Sequence, residues 1–158
     1  MSDFSRGKGV SSAVTYADPN AAFRWLEDAF GFEPVMVILD ENERIAHSEM
    51  AFGNGLIMVG GEWSENHRSP KSLSGVNTQS VHIQLAQGDD IDAHCANARR
   101  AGAEILQMPD DQFYGDRTYR ARDPEGHIWT FGVTVKKLSP TEWDKASGGS
   151  LHTRTRLD

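Results

Sequence analysis

Two residues in the stretch around position 48 could do acid-base chemistry together. In the run His47-Ser48-Glu49, residues two apart point to the same face of an extended strand, so an imidazole and a carboxylate lie side by side. Within hydrogen-bonding reach of each other, they form a base and its orienting acid. A solvated strand face is the alternative interpretation of the same pair.

A second pair of polar residues alternates with apolar ones in Val81-His-Ile-Gln-Leu85. The three apolar side chains form one face that should pack on a helix, which leaves His82 and Gln84 on the other face. An imidazole at such a position is a competent metal ligand. A buried histidine satisfied by a neighbour is the alternative.

Three further residues, Tyr114, Arg117 and Trp63, have side chains suited to ligand contact. Arg117, which follows Tyr114 and Asp116, carries a guanidinium that could clamp an anionic substrate, or it forms a structural pair with an aspartate of the same loop. Trp63 follows an extended run and is a candidate for the wall of a pocket or for a dimer contact.

A repeat offset by 71 residues organises the chain around these side chains. It superimposes several identities, among them the glycines that mark turns: Val10 on Val81, Asp18 on Asp89, Ala22 on Ala93, Gly31 on Gly102, Glu33 on Glu104, Gly55 on Gly126, Ile57 on Ile128 and Gly61 on Gly132. We interpret this as two gapless copies of one module, residues 8–62 and 79–136, joined by a polar linker, residues 63–78.

Each module is predicted to run strand, helix and three further strands. Asp18-Pro19-Asn20 should open the first helix and Gly31 should end it. The stretch Asp123-Pro-Glu-Gly126 predicts a tight hairpin turn before the last strand, because proline presets φ and glycine tolerates positive φ. Ser139, followed by proline, should cap a short helix in a C-terminal segment, residues 137–158. The fold class is therefore α+β.

Composition restricts the classes of function. The 158 residues are 38% hydrophobic and 25% charged, as in a soluble single domain, and no apolar run reaches the roughly 18–20 residues of a membrane span. The net charge of −7 argues against nucleic acid as a partner, and an acidic cleft for a cationic ligand is one interpretation of it. The single cysteine, Cys95, and an N-terminus without an apolar signal core lead us to expect a cytoplasmic protein with an inert thiol.

The tandem modules and the run Asp-Pro-Glu-Gly-His-Ile-Trp-Thr-Phe at 123–131 resemble the vicinal oxygen chelate superfamily, which contains glyoxalase I, the bleomycin-resistance proteins and the extradiol dioxygenases. Shorter pieces are similar to its PhnB-like branch: Ala21-Ala-Phe23, Ala29-Phe-Gly31, His47-Ser-Glu-Met50, Tyr114-Gly-Asp-Arg117 and Leu138-Ser-Pro-Thr-Glu142. The resemblance implies two curved mixed sheets around a cavity, which is completed within one chain or by a homodimer.

Metal-dependent members of this superfamily place one ligand on the first and on the last strand of each module. The resemblance assigns these positions to His82 and Thr130 in the second module, and the repeat carries them to Ser11 and Val59 in the first. His82 alone is a strong ligand, whereas catalytic zinc sites usually keep three. We therefore expect no metal cofactor, with His82 and Glu49 as the ligands if a divalent metal binds.

The resemblance brings the candidate residues together in one ligand-binding cavity: His47, Glu49, Trp63, His82, Gln84, Tyr114, Arg117 and Thr130. Our first hypothesis is a metal-independent protein that encloses a planar or cationic small molecule, as drug-sequestering relatives do. The second is a lyase, isomerase or dioxygenase in which a divalent ion chelates two adjacent oxygens. The third is a regulatory module, for which the sequence gives no positive sign. We expect a homodimer without nucleic acid or membrane partners.

Overall fold

A computed structural model describes residues 9–157 of the chain. Residues 1–8 and 158, which include the first position of the predicted first module, lie outside this range. The first module contains β1 (Ser11–Tyr16), α1 (Pro19–Phe30), β2 (Glu33–Leu39), β3 (Ile45–Phe52) and β4 (Gly55–Gly61). The second contains β5 (Val81–Gln84), α2 (Ile91–Arg100), β6 (Glu104–Asp111), β7 (Asp116–Arg122) and β8 (Ile128–Thr134).

The two sheets have the same topology. Their strand orders are β1-β4-β3-β2 and β5-β8-β7-β6, and in each sheet the first strand pairs in parallel with the last while the other pairs are antiparallel. In each module the helix carries the chain from the first strand to the far edge of the sheet, and two hairpins then bring the last strand back beside the first in the parallel direction. The predicted α+β fold of two βαβββ modules is therefore confirmed.

Local signals fix the helix ends where the sequence predicts them. The Asp18 carboxylate accepts a hydrogen bond from the Ala21 amide at 3.0 Å, proline occupies the first turn, and Gly31 ends α1 with φ of 80°. Asp90 caps α2 in the same way through the Ala93 amide at 2.9 Å. Each helix thus starts from a side chain that satisfies an otherwise unpaired backbone N–H.

The two modules pack against each other through their helices. Phe30, at the end of α1, has its ring centroid 4.7 Å from that of Phe131 and 5.5 Å from that of Trp129, both fully buried on β8. The Trp25 indole donates to the Ala101 carbonyl at 2.7 Å. The helix-bearing faces of both sheets thus share one core, and the opposite face of each sheet, called here the open face, points away from it.

The Asp-Pro-Glu-Gly turn locks the modules together. Asp123 is 4% exposed and accepts hydrogen bonds from the Tyr16 hydroxyl at 2.7 Å and the Trp129 indole at 3.0 Å. The two oxygens of Glu125 accept from the backbone amides of Ala17 and Asp18 at 2.7 and 2.9 Å. The predicted turn is present, and its carboxylates hold the first module rather than a ligand.

The prediction of a gapless repeat is wrong. The register between the two modules changes at the hairpin before the last strand. Val59 is fully buried on the helix-bearing face, whereas Thr130, its counterpart 71 residues later, is half-buried on the open face. The hairpins before these strands differ in length: Gly53 and Asn54 join β3 to β4, but residues 123–127 join β7 to β8. Because side chains alternate between faces, an odd difference in register reverses the face. Met58, not Val59, faces the open side of the first sheet.

A short helix, α3 (Pro140–Ala146), follows the second module. Ser139 and Glu142 form the capping box that the sequence predicts, with the Ser139 side chain accepting from the Glu142 amide at 3.3 Å and the Glu142 carboxylate accepting from the Ser139 amide at 2.7 Å. Residues 149–157 contain no helix or strand. Within residues 9–157, none of the helices has the length and apolar character to cross a membrane.

Candidate functional site

A row of four polar side chains crosses the open face of the second sheet. Strand pairing places His82 beside Thr130, Thr130 beside Arg120, and Arg120 beside Gln107. Directly opposed side chains on neighbouring strands start about 5 Å apart, so neighbours in the row can act on one ligand. His82 and Arg120 are exposed and the other two are half-buried. The row is therefore accessible to a small molecule.

His82 is held by a hydrogen-bond network in the next row of the same face. Its Nε2 lies 3.1 Å from Gln84 Oε1, while Gln84 Nε2 donates to Asp116 Oδ2 and Thr134 Oγ1, both at 3.3 Å. An ionised aspartate only accepts, so the Gln84 amide must point its nitrogen at Asp116 and its oxygen at His82. His82 then carries its proton on Nε2, and Nδ1 is left as an acceptor.

Gly132 lets the His82–Gln84 pair lie over β8. A Cβ at this position would come within 3.2 Å of Gln84 Oε1 and 3.4 Å of His82 Nε2. The first distance is tighter than ordinary van der Waals contact and the second is at its limit, so a side chain at this position would require the pair to shift by a few tenths of an ångström. The glycine therefore helps to position the polar groups of the open face.

The open face of the first sheet carries the other predicted pair. Glu49 is 1% exposed, and its Oε1 lies 3.2 Å from Nε2 of His47, whose side chain is 39% exposed. Strand pairing places Glu49 between Met36 and Met58. The half-buried Met36 and Met58 and the accessible imidazole of His47, oriented by the buried Glu49 carboxylate, are a suitable contact surface for an organic ligand.

Three predicted cavity residues, Arg117, Tyr114 and Trp63, occupy other parts of the molecule. Arg117 lies on the helix-bearing face of β7, opposite Val133, and binds Asp92 of α2 through Nε and Nη2 and Asp111 through Nη1, all at 2.9 Å. Hydrogen bonds to both carboxylates raise its pKa further above the ordinary value. Asp116, the partner that the loop-pair interpretation assumed, is not among the partners of Arg117. The two ion pairs of Arg117 connect β7 to α2 and β6, which is a structural role.

Tyr114 lies in the loop before β7 and is 37% exposed. Its carbonyl accepts from the Trp143 indole at 2.9 Å, and its ring meets that of Phe113 edge-on at 5.3 Å. Trp143 thus anchors α3 on the body of the protein. This contact explains the position of Tyr114 without a ligand.

Trp63 stands on the linker and is 73% exposed. Its ring stacks on that of His67 with centroids 4.0 Å apart, and His67 Nδ1 lies 2.8 Å from the Ser64 hydroxyl. The stack holds the indole in a defined orientation at the surface. No described contact joins Trp63 to the polar row of the second sheet.

Arg120 is a site residue that sequence analysis missed. It alternates with the buried Tyr119 and Ala121 on β7, so it projects from the open face. The alternation of Thr118–Arg122 contains this signal, but the polar residues before the strand indicated Arg117 instead. The strand pairing reverses the two assignments.

The residues present do not fit the divalent metal site of this kind of fold. In the row of His82, the neighbouring groups are a hydroxyl, a guanidinium and an amide, of which none is a strong ligand. Nε2 of His82 is hydrogen-bonded to Gln84. Within residues 9–157, His, Cys, Asp and Glu side chains form no group of three or more that could hold an ion.

Cys95 lies on the buried face of α2 and is 2% exposed. Burial raises the pKa of its thiol, with the charge of Asp92 acting in the same direction. A thiol kept protonated is a poor nucleophile. The placement agrees with the expectation of an inert cysteine.

Solved structures share this fold. TioX from Micromonospora sp. ML1 is 28% identical, with a TM-score of 0.62 over 81% of this chain and 99% of its own. TnmS3 from Streptomyces sp. CB03234, an antibiotic binding protein, is 18% identical, with a TM-score of 0.58 over 85% and 99% of the two chains. The second likeness shows the fold alone.

Curated relatives and a family model complete the comparison. Uncharacterised proteins of Mycobacterium bovis and Mycobacterium tuberculosis are 34% identical over 74 residues, which is 47% of this chain and less than half of theirs, 46% and 41%. The model described as the Glyoxalase/Bleomycin resistance protein/Dioxygenase superfamily matches residues 10–131. Assignment to the PhnB-like branch stays a prediction. The chain belongs to the glyoxalase/bleomycin resistance protein/dioxygenase superfamily.

Proposed function

We propose that this protein binds a small organic molecule on its open faces, without a metal cofactor, as a homodimer. The observation that carries the proposal is the direction of these faces. The helix-bearing faces of both modules are buried in one shared core, which contains Phe30, Trp129 and Phe131. The polar row of the second sheet is left exposed, and a second chain is the simplest way to enclose it.

A twofold dimer supplies the missing wall. If the open face of the first module of one chain meets that of the second module of the other, the symmetry produces two equivalent sites. Each site then combines His47, Glu49 and Met58 from one chain with His82 and Arg120 from the other. Such a site has apolar walls and a few fixed polar groups, as small-molecule sites usually do.

Metal independence is supported by the donor set around His82, in which hydroxyl, guanidinium and amide groups replace the ligands that a catalytic metal needs. Sequestration is supported by the fold shared with the antibiotic binding protein TnmS3. Enclosure and release of a guest needs only the groups that the open faces already present. We infer a cytoplasmic binding protein, whose ligand a compound screen would identify.

The test combines the oligomeric state with a ligand screen. Sedimentation equilibrium gives the mass of the particle, and a thermal-shift screen with aromatic, cationic and anionic compounds is run with and without EDTA. The proposal expects a dimer and at least one compound whose shift is unchanged by EDTA. A monomer that no compound stabilises, or stabilisation that requires added metal, contradicts it.

A further inference from the structure

Three arginines of β7 differ in how their charge is satisfied. Arg117 is bound by Asp92 and Asp111, and Arg122 Nη1 lies 2.8 Å from Glu104 Oε2. Arg120, in contrast, donates only from Nε to Thr130 Oγ1 at 3.3 Å and forms no ion pair with any of residues 9–157. Its Nη1 and Nη2 groups are thus available on the open face.

From this difference we propose that the open face of the second sheet is a receptor for an organic acid, with Arg120 as the group that binds the carboxylate or phosphate. The inference rests on the proposed open-face site and names its class of ligand. A guanidinium presents two parallel N–H groups that match the two oxygens of a carboxylate or phosphate. The Thr130 hydroxyl holds the Nε end and so directs the fork.

The neighbours of Arg120 in its row are compatible with an anion. Gln107 flanks it on β6, Thr130 on β8, and His82 lies beyond Thr130. None of these side chains carries negative charge. Of the nearby carboxylates, Glu104 pairs with Arg122, whereas Asp116 and Asp110 accept from neutral donors, the Gln84 amide and the Asp111 N–H. Within the row itself, the positive charge of Arg120 is therefore not cancelled, although the overall charge of the chain is −7.

His82 adds a second requirement on the ligand. Because Gln84 Oε1 accepts from Nε2 of His82, the neutral ring presents Nδ1 as an acceptor suited to a ligand O–H or N–H. His82 and Arg120 stand on strands separated by β8, so their backbones are on the order of 10 Å apart. A ligand that meets both groups has an acid at one end and a donor at the other.

4-Hydroxybenzoate is a probe with this chemistry, and phenyl phosphate tests whether phosphate replaces carboxylate. 4-Hydroxybenzamide has nearly the same shape without charge, and tyramine carries the opposite charge. Binding of each to the full-length protein is followed by two-dimensional ¹⁵N NMR, including the Nε resonances of arginine. We expect one of the two acids to shift the Arg120 Nε signal and to bind at least about tenfold more tightly than the amide.

Two variants on the same strand and the same face separate a specific contact from general charge. Arg120→Gln is expected to weaken binding of the acid at least about tenfold, whereas Arg122→Gln, which removes a guanidinium already paired with Glu104, should change it less than about threefold. Equal losses in both variants, or wild-type affinity in Arg120→Gln, would overturn the inference.

The probes also separate this inference from the proposed function. If tyramine or the amide binds the open face as well as the acids do, the acid receptor is wrong while open-face binding stands. If a dimer forms and other compounds bind the open face but both acids fail, the inference is again overturned alone. If no compound shifts any open-face signal and the protein is a monomer, both fail together.

Discussion

The Tyr16 hydroxyl donates to Asp123 Oδ2 at 2.7 Å and so joins the first strand of one module to the last hairpin of the other. Both side chains are buried, at 1% and 4% exposure. Burial and, after it, the charge of Asp123 raise the pKa of Tyr16 well above its ordinary value, so the hydroxyl keeps its proton and donates. The hydrogen bond fixes how the two open faces are placed in one chain.

Removing that donor should destabilise the whole protein. Tyr16→Phe leaves the Asp123 carboxylate with one partner fewer in a buried place, which we expect to lower the free energy of unfolding by about 1–3 kcal/mol in urea titrations. Tyr114→Phe is the control, because that ring is partly exposed, and it should change stability by less than about 0.5 kcal/mol. Equal effects of the two variants would show that the contact between modules contributes little.

His94 should make stability depend on pH. Its Nε2 donates to the Phe30 carbonyl at 2.9 Å and its Nδ1 accepts from the Tyr119 hydroxyl at 2.6 Å, so the neutral ring is the form that fits. Burial lowers the pKa of His94 below 6.5, against weaker opposing effects of the Phe30 hydrogen bond and of Asp89. Between the folded-state pKa and 6.5 the unfolded chain binds more protons, so stability rises with pH in that window and is lost on acidification.

We therefore expect the free energy of unfolding of the wild type to fall more than that of His94→Gln between pH 7.5 and 5.5. The variant is less stable at pH 7.5 because two hydrogen bonds are changed, but its profile should be flatter. His152→Gln, in the exposed tail, should reproduce the wild-type profile. Parallel profiles for wild type and His94→Gln would contradict this role.

Substitution of Arg117 should lower stability, whereas substitution of Arg120 should lower ligand affinity. Arg117→Gln removes partly exposed ion pairs to Asp92 and Asp111, so we expect a loss of about 0.5–1 kcal/mol in unfolding free energy that shrinks in high salt. Ligand affinity should stay within about threefold of wild type, because this side chain points to the helix-bearing face. A large loss of ligand affinity with unchanged stability would return Arg117 to the binding site.

Metal binding gives a direct check of the donor set. After dialysis against nickel, zinc, manganese and iron(II) in separate samples, we expect the untagged protein to retain well below one ion per chain, because His82 has no second strong ligand in its row. About one ion per chain that is lost in His82→Ala would support the metal-dependent alternative. The same samples in the thermal-shift screen show whether any retained ion affects ligand binding.

Sequence predicted the parts of this protein that local chemistry determines. Asp18 and Gly31 mark the ends of α1, and Asp123-Pro-Glu-Gly126 marks a turn, because caps and turns depend on residues a few positions apart. Alternation along β8 places Trp129 and Phe131 on one face, and both are fully buried.

Long-range contacts explain what could not be predicted. Arg117 is bound by Asp92, 25 residues away, and no local pattern distinguishes that partner from Asp116. The face of the last strand depends on the length of the hairpin before it, so Val59 was assigned to the wrong side. Arg120 differs from its neighbours because it forms no ion pair within residues 9–157, which is a property of the folded surface and not of the sequence around it.

Subunit complementation tests most directly the central claim, that each site is formed by the open faces of two chains. His47→Ala alters the first module, Arg120→Gln alters the second, and each is combined with the compound that gives the largest thermal shift on the wild type. If the sites are shared between chains, a heterodimer of the two variants has one doubly altered site and one intact site. After subunit exchange in an equimolar mixture, the account predicts recovery of about a quarter of the wild-type sites at wild-type affinity. A mixture that binds no better than the separate variants would contradict it.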